Sequence, residues 1–410
     1  MKNNISTFLS LLRAGLFPDH GEDFLDVADG SSTSSPLQHQ ECTNGERVVG
    51  DLSLKVASVD WDDVYRLAEE QSVQGLVLQG IEWFKNHNDN SNHNVNIPQV
   101  LLLQWIGEVQ MIEQRNKEMN LFVADMIEKL RKNDIYTLLV KGQGIAQCYE
   151  KPLWRCSGDV DLLLDRSNYQ KAKKDLQKGA SYIGKEGIDG MHLGMNIDEW
   201  EVELHGTLHS GLSLNIDKQI DRIQETVFKE GRIRSWHNGD TDIFLPAPDE
   251  DVIFVFTHIL QHFYKGGIGF RQICDWCRQL WTYRDSLDYG LLEQRIKRTG
   301  LMSEWKAFGA LAIEHLGMPA ETMPFLNVND RHVLKKKAER ILDFVIMTGN
   351  FGHNRDMSYY GDSSYLRRKF TSLGRRCADM LCHVRIFPVD SFRFFGGIVF
   401  NGIRSMMRGL

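Results

Sequence analysis

Long apolar runs are missing from this sequence. Its 410 residues contain no stretch of eighteen apolar residues, the length a spanning helix needs. Cysteine is scarce and odd in number: seven, spread thinly, which is unlike a disulfide framework. An excess of positive charge is absent too. The formal net charge is −7, which excludes a general nucleic-acid coating protein but not a local phosphate site. The N-terminus lacks the features of a secretory leader, because Arg13 cuts short the apolar stretch from Ile5 and no small-residue cleavage site follows. These absences together predict a cytoplasmic protein in a reducing compartment. Walker A, Gly-x-Ser-x-Gly and Gly-x-Gly-x-x-Gly elements are also absent. Hydrophobic residues make up 42% and charged residues 25%, so the chain has material for a large core without metal or disulfide staples.

The sequence then falls into three parts. Residues 1–133 predict a helical region with loops near 20–50, around Ser31–Pro36, and near 86–97, where Asn and His dominate. Apolar residues at three- and four-residue spacing run from Leu101 to Leu130. Residues 134–245 predict a small α/β core. Ile135–Val140 is β-favouring, Lys141-Gly142-Gln143-Gly144 breaks it, and a short helix follows to Glu150. Val160–Leu164 is a second strand, and Ser167 is placed to cap a charged helix to Leu176. Met191–Asn196 and Trp200–Leu204 read as a hairpin turning at Ile197-Asp198-Glu199. Residues 246–410 predict a C-terminal helical domain. The fold class is therefore α+β: a small mixed-sheet core flanked by N-terminal and C-terminal helical segments.

Gly158-Asp159-Val160-Asp161 opens the second strand. Residues two apart on a strand share a face, so Asp159 and Asp161 project side by side. Adjacent carboxylates repel unless a cation lies between them, and hard divalent ions take oxygen ligands together with substrate phosphates. Repulsion of this kind predicts that Asp161→Asn leaves folding intact. Glycines after Lys141 let backbone N–H groups approach a phosphate. A later strand carries Glu201-Val202-Glu203-Leu204-His205, and either Glu could be a third carboxylate because both share one face. Arg155 is placed to bind a phosphate or to form a structural ion pair, and Arg271 with Asp275, at i and i+4, to pair with each other. His258 and His262 are also at i and i+4, but without an intervening Glu helix packing is the better reading. Cys274-Asp275-Trp276-Cys277 has no suitably spaced partner pair, so a zinc site is not expected.

The order Lys141-Gly142, Tyr149-x-x-Pro152-x-x-Arg155, Gly158-Asp159-Val160-Asp161, His192 and Glu203-Leu204-His205 resembles the bacterial branch of uncharacterised nucleotidyltransferases in the polymerase-β-like superfamily. His258, His262, Arg271 and Asp275 resemble that branch's helical segment. The resemblance covers roughly residues 135–280. It implies catalytic, metal-binding carboxylates at Asp159, Asp161 and Glu203, with Mg²⁺ or Mn²⁺ as cofactor. It further implies a nucleoside triphosphate held by Lys141, Gly142, Gly144, Arg155, Gly158 and His205. The wider superfamily has Gly-Ser where Lys141-Gly142 stands here, and the resemblance names no acceptor. Two other readings remain open from the residues: a nucleotide-binding or regulatory module without transfer activity, and a D-x-D glycosyltransferase. Residues 361–410 carry a formal +6, from nine Lys/Arg against three Asp, and interleave aromatics. That pattern fits either a helix docked on the core with its charges outside or a peripheral contact with a membrane or partner.

Overall fold

The computed structural model describes residues 2–18, 59–87, 95–187, 190–354 and 365–407. The Ser31–Pro36 loop and most of the Asn/His stretch lie outside the described residues. Among the described residues, α1 (Lys2–Leu16), α2 (Trp61–Glu70) and α3 (Gln74–Asn86) precede the long α4 (Gln99–Lys132). The carboxylate of Asp60 caps α2 by accepting from the Asp63 amide, and Pro98 opens α4. Then come β1 (Leu138–Val140), the short α5 (Gly142–Ala146), β2 (Val160–Leu163), α6 (Arg166–Leu176), β3 (Ala180–Ile183), β4 (His192–Ile197) and β5 (Trp200–His205). Their order in the sheet is β1-β2-β5-β4-β3. Only β2 and β5 run parallel, and the other neighbours are antiparallel, so the sheet is mixed as expected.

Local differences from the sequence reading have physical causes. The first strand starts at Leu138 rather than Ile135. Ser167 is not the cap of α6: Asp165 is, its carboxylate accepting from the amides of Ser167 and Asn168. The β4–β5 turn closes tightly, with Ile197 opposite Trp200 and Asp198 at φ +53°.

Residues 206–245 contain two elements that apolar spacing alone left unread. One is α7 (Leu214–Glu230), capped by Ser213 and ended by the left-handed Gly231. The other is a hairpin of β6 (Ile233–Asn238) and β7 (Thr241–Pro246). Its signal is Asn238-Gly239, with Gly239 at φ +60°, followed by the alternation of Ile243 and Leu245.

The C-terminal segment holds α8 (Pro248–Lys265), α9 (Phe270–Tyr283), α10 (Tyr289–Thr299), α11 (Met302–Leu316), α12 (Val328–Thr348), α13 (Tyr365–Val384) and α14 (Pro388–Met407). Among the described residues no helix is long and apolar enough to cross a membrane. Phe387, just before α14, and Phe394 within it are fully buried while Phe392 is exposed, so the first turns of α14 dock on the core by one face.

Two apolar cores explain where a cleft can form. Val160 and Leu162 of β2, with Leu139, pack with the C-terminal half of α4 and with Tyr169 of α6. Leu138, Val140 and Leu163 join the other core, built from α1 to α3 and α7 to α12. Strand alternation therefore turns Asp161, between Val160 and Leu162, toward the helical side of the sheet. Polar side chains on that sheet face meet α8 and α9 across a cavity of about 1190 Å³.

Candidate active site

The site begins at an unusual piece of backbone. Lys141 and Gly142 both have positive φ, +58° and +37°. A lysine seldom adopts that conformation, and such strain persists only where the surroundings impose it. Here it swings the chain from β1 into α5 and aims the Lys141 ammonium back over β2. Lys141 Nζ lies 2.8 Å from Asp161 Oδ1. Gly142 sits close to the carbonyl of Asp159, which an added Cβ would approach to 3.4 Å.

Register brings the carboxylates together. Asp161 is the direct partner of Glu203 across the parallel β2–β5 pair. Ligand oxygens of Asp159, Asp161 and Glu203 all lie within 4.8 Å of one another. Glu201 lies farther out, exposed and opposite Asn196, so register separates two glutamates that alternation could not. His205, buried on the same strand, places Nε2 2.7 Å from Asp161 Oδ1 and 3.3 Å from Glu203 Oε2. His192 Nε2 on β4 is also 3.3 Å from Glu203 Oε2.

The electrostatics follow from this crowding. The negative charge of Asp161, with burial, pushes Asp159 up to about 6. Burial opposes ionisation of Asp161, yet Lys141 and His205 outweigh it and hold its pKa below the ordinary value. Glu203 is held far below the carboxylate range by hydrogen bonds to His192 and His205. Burial disfavours the imidazolium of His205, but its two carboxylate partners prevail and raise its pKa. The donor set suits a hard divalent cation: three carboxylates converge, and one of them bears the repulsion of its neighbours.

Other singled-out residues fall into place around this cluster. All of the site residues named from the sequence border the cavity except Gly144, which faces β7. A Cβ there would lie 2.3 Å from Leu245 Cδ2, so Gly144 makes room for packing. The helix after Lys141 is only five residues long, so it offers little aligned dipole. Arg155 is buried, and its guanidinium grips Asp275 with two bonds of 2.7 Å. It also donates to Ser157 Oγ and the Cys156 carbonyl, and so fastens the loop that carries Asp159. Asp275 therefore accepts hydrogen bonds from Arg155 and the Tyr149 hydroxyl, and its charge also acts on Arg271. Arg271 donates to the Cys156 carbonyl and borders the cavity.

His258 and His262 face each other, Nε2 to Nε2 at 3.1 Å, and line the cavity from α8. Burial depresses both imidazoles, His262 to about 4. Cys274 and Cys277 are buried in α9, with burial pushing both thiols up. One supporting residue gave no sequence signal. Asn116 of α4 is buried and donates to the carbonyls of Leu153 and Arg155, which ties the loop to the long helix.

A family model described as an uncharacterised nucleotidyltransferase matches residues 57–317. The chain belongs to that family. No curated protein and no solved structure matches it. Family membership gives nucleotidyl transfer as the general role and a nucleotide as substrate. The nucleotidyltransferase match begins before α2 and ends just after α11, so it takes in helices from both sides of the sheet as well as the carboxylates.

Proposed function

We propose that this protein transfers a nucleoside monophosphate from a nucleoside triphosphate to a hydroxyl acceptor, which gives up its proton as pyrophosphate leaves, with Asp159, Asp161 and Glu203 holding Mg²⁺ or Mn²⁺. The observation that carries this reading is the register of Asp161 with Glu203 beneath a cavity large enough for two small ligands. When bound, a divalent cation neutralises phosphate charge and lowers the pKa of an attacking hydroxyl. Lys141 and the Gly142 turn lie beside the carboxylates, where they balance triphosphate charge. Gly158, which borders the cavity with open space around its Cβ position, lets a phosphate approach the backbone. His205 orients Asp161 and Glu203, and Arg155 keeps Asp159 in place through its grip on the loop. In this reading residues 134–245 supply the chemistry, while the helical segments 1–133 and 246–410 shape the cavity.

The test is a screen of labelled nucleoside triphosphates with the purified protein, host lysate and Mg²⁺ or Mn²⁺. Label transferred by the natural protein and not by Asp161→Asn is the expected result. Nucleotide binding without transfer under every condition would instead identify a binding module.

A further inference from the structure

The sheet face under the cavity carries a second set of donors. His192 on β4 and His205 on β5 are direct cross-strand partners, and Glu203 precedes His205 by two residues on the same face. Ligand atoms of the three lie within 4.8 Å of one another. Both Nε2 atoms stand 3.3 Å from Glu203 Oε2. That separation is long for an N–H···O bond, whose usual length is about 2.9–3.0 Å. It matches the edge of a tetrahedron: donors about 2.0–2.1 Å from one ion lie about 3.3–3.4 Å apart. The residue opposite Glu203 is Gly194, where an added Cβ would meet nothing within 4 Å. The space over Glu203 is thus open. His192 is half-exposed and borders the cavity, so an ion can reach the trio.

We propose that His192, Glu203 and His205 form a nitrogen-rich site for a borderline transition metal of the Zn²⁺ class, adjoining the carboxylate site and sharing Glu203 with it. Imidazole nitrogens favour such ions, whereas the set Asp159, Asp161 and Glu203 favours Mg²⁺. The inference deepens the nucleotidyltransferase reading and rests on it for the role of the adjoining carboxylates. Occupation requires His205 Nε2 to leave Asp161, whose remaining partner is then Lys141. A carboxylate shared by neighbouring ions is the arrangement found where two metals act on one phosphoryl group.

Co²⁺ is the probe, because four- or five-coordinate cobalt absorbs strongly in the visible. Chelator-treated protein is titrated with Co²⁺, and separately with Mg²⁺ and a non-hydrolysable analogue of each of the four nucleoside triphosphates. The expected result is a saturable cobalt band that Asp159→Asn retains. His192→Gln loses that band and binds Co²⁺ at least about tenfold more weakly. His192→Cys, which supplies a different metal ligand, restores a band and shows that loss in the glutamine variant is not misfolding. Mg²⁺-dependent binding of an analogue shows a different pattern, lost in Asp159→Asn and still measurable in His192→Gln, weakened by loss of a hydrogen-bond partner of Glu203. A wild-type protein without a cobalt band, or a band unaltered by His192→Gln, overturns the inference. So does a band that depends on Asp159. Absence of Mg²⁺-dependent analogue binding, with the cobalt pattern intact, would fail the nucleotidyltransferase reading and leave this site standing.

Discussion

Asp161 is the point at which the site's charges meet. The Lys141 ammonium and the His205 imidazole converge on one of its oxygens while burial strips it of water. Repulsion from Asp159 suggests that removing the Asp161 charge is harmless. The structure argues otherwise, because that charge already compensates a lysine enclosed by the cavity. Asp161→Asn is therefore expected to abolish transfer and to lower the stability of the metal-free protein by about 1–3 kcal/mol. Turnover and urea unfolding check the two halves; unchanged turnover in the folded variant would remove Asp161 from the site.

The same residue shows how far the sequence could be read. Strand alternation was enough to set Asp159 and Asp161 on one face. It could not choose between Glu201 and Glu203, because that choice depends on how β2 and β5 slide against each other. Arg155 has a similar lesson. Its partner Asp275 lies 120 residues away, a pairing fixed by tertiary packing and invisible in local spacing.

At the scale of elements, helices declared themselves through apolar spacing, and α4 and α8 run close to the expected stretches. The β6–β7 hairpin was harder, since its outer positions mix charged, polar and aromatic residues and only the Asn238-Gly239 turn marks it. Buried polar contacts between helices were not legible at all. Glu304 on α11 accepts a hydrogen bond from the Tyr264 hydroxyl on α8 and feels the charge of Asp390 on α14. Burial, reinforced by Asp390, pushes its carboxyl from an ordinary 4.5 to about 8. The folded state thus holds a proton that the unfolded chain releases at lower pH. Linkage makes stability fall as pH rises between about 4.5 and 8, with no further change from this group outside that window. The total is on the order of a few kcal/mol. Glu304→Gln should flatten this part of the profile and gain stability above pH 7. Chemical denaturation at a series of pH values would show it; parallel profiles for the two proteins would refute the assignment.

At the scale of the whole molecule, the cavity is a joint product of distant segments. The sheet supplies its floor, α8 and α9 a wall, and α14 closes in where Gly397 meets the loop that leads into α7. At Gly397 an added Cβ would stand 2.5 Å from the Leu212 carbonyl oxygen, a contact that only glycine permits. Gly397→Ala must push α14 away and should cost about 1–3 kcal/mol. A melting temperature equal to that of the natural protein would show that α14 does not press on that loop as described.

The closure by α14 also has a consequence in time. The ribosome completes Asp159, Asp161 and Glu203 about 190 residues before it reaches Gly396, which at cellular elongation rates is roughly 10–40 s. In the later part of that interval, after Asp275 has been made, the Arg155–Asp275 pair that fastens the Asp159 loop can form while α14 is still missing. Order of synthesis thus puts the making of the carboxylate cluster before closure of the cavity by α14.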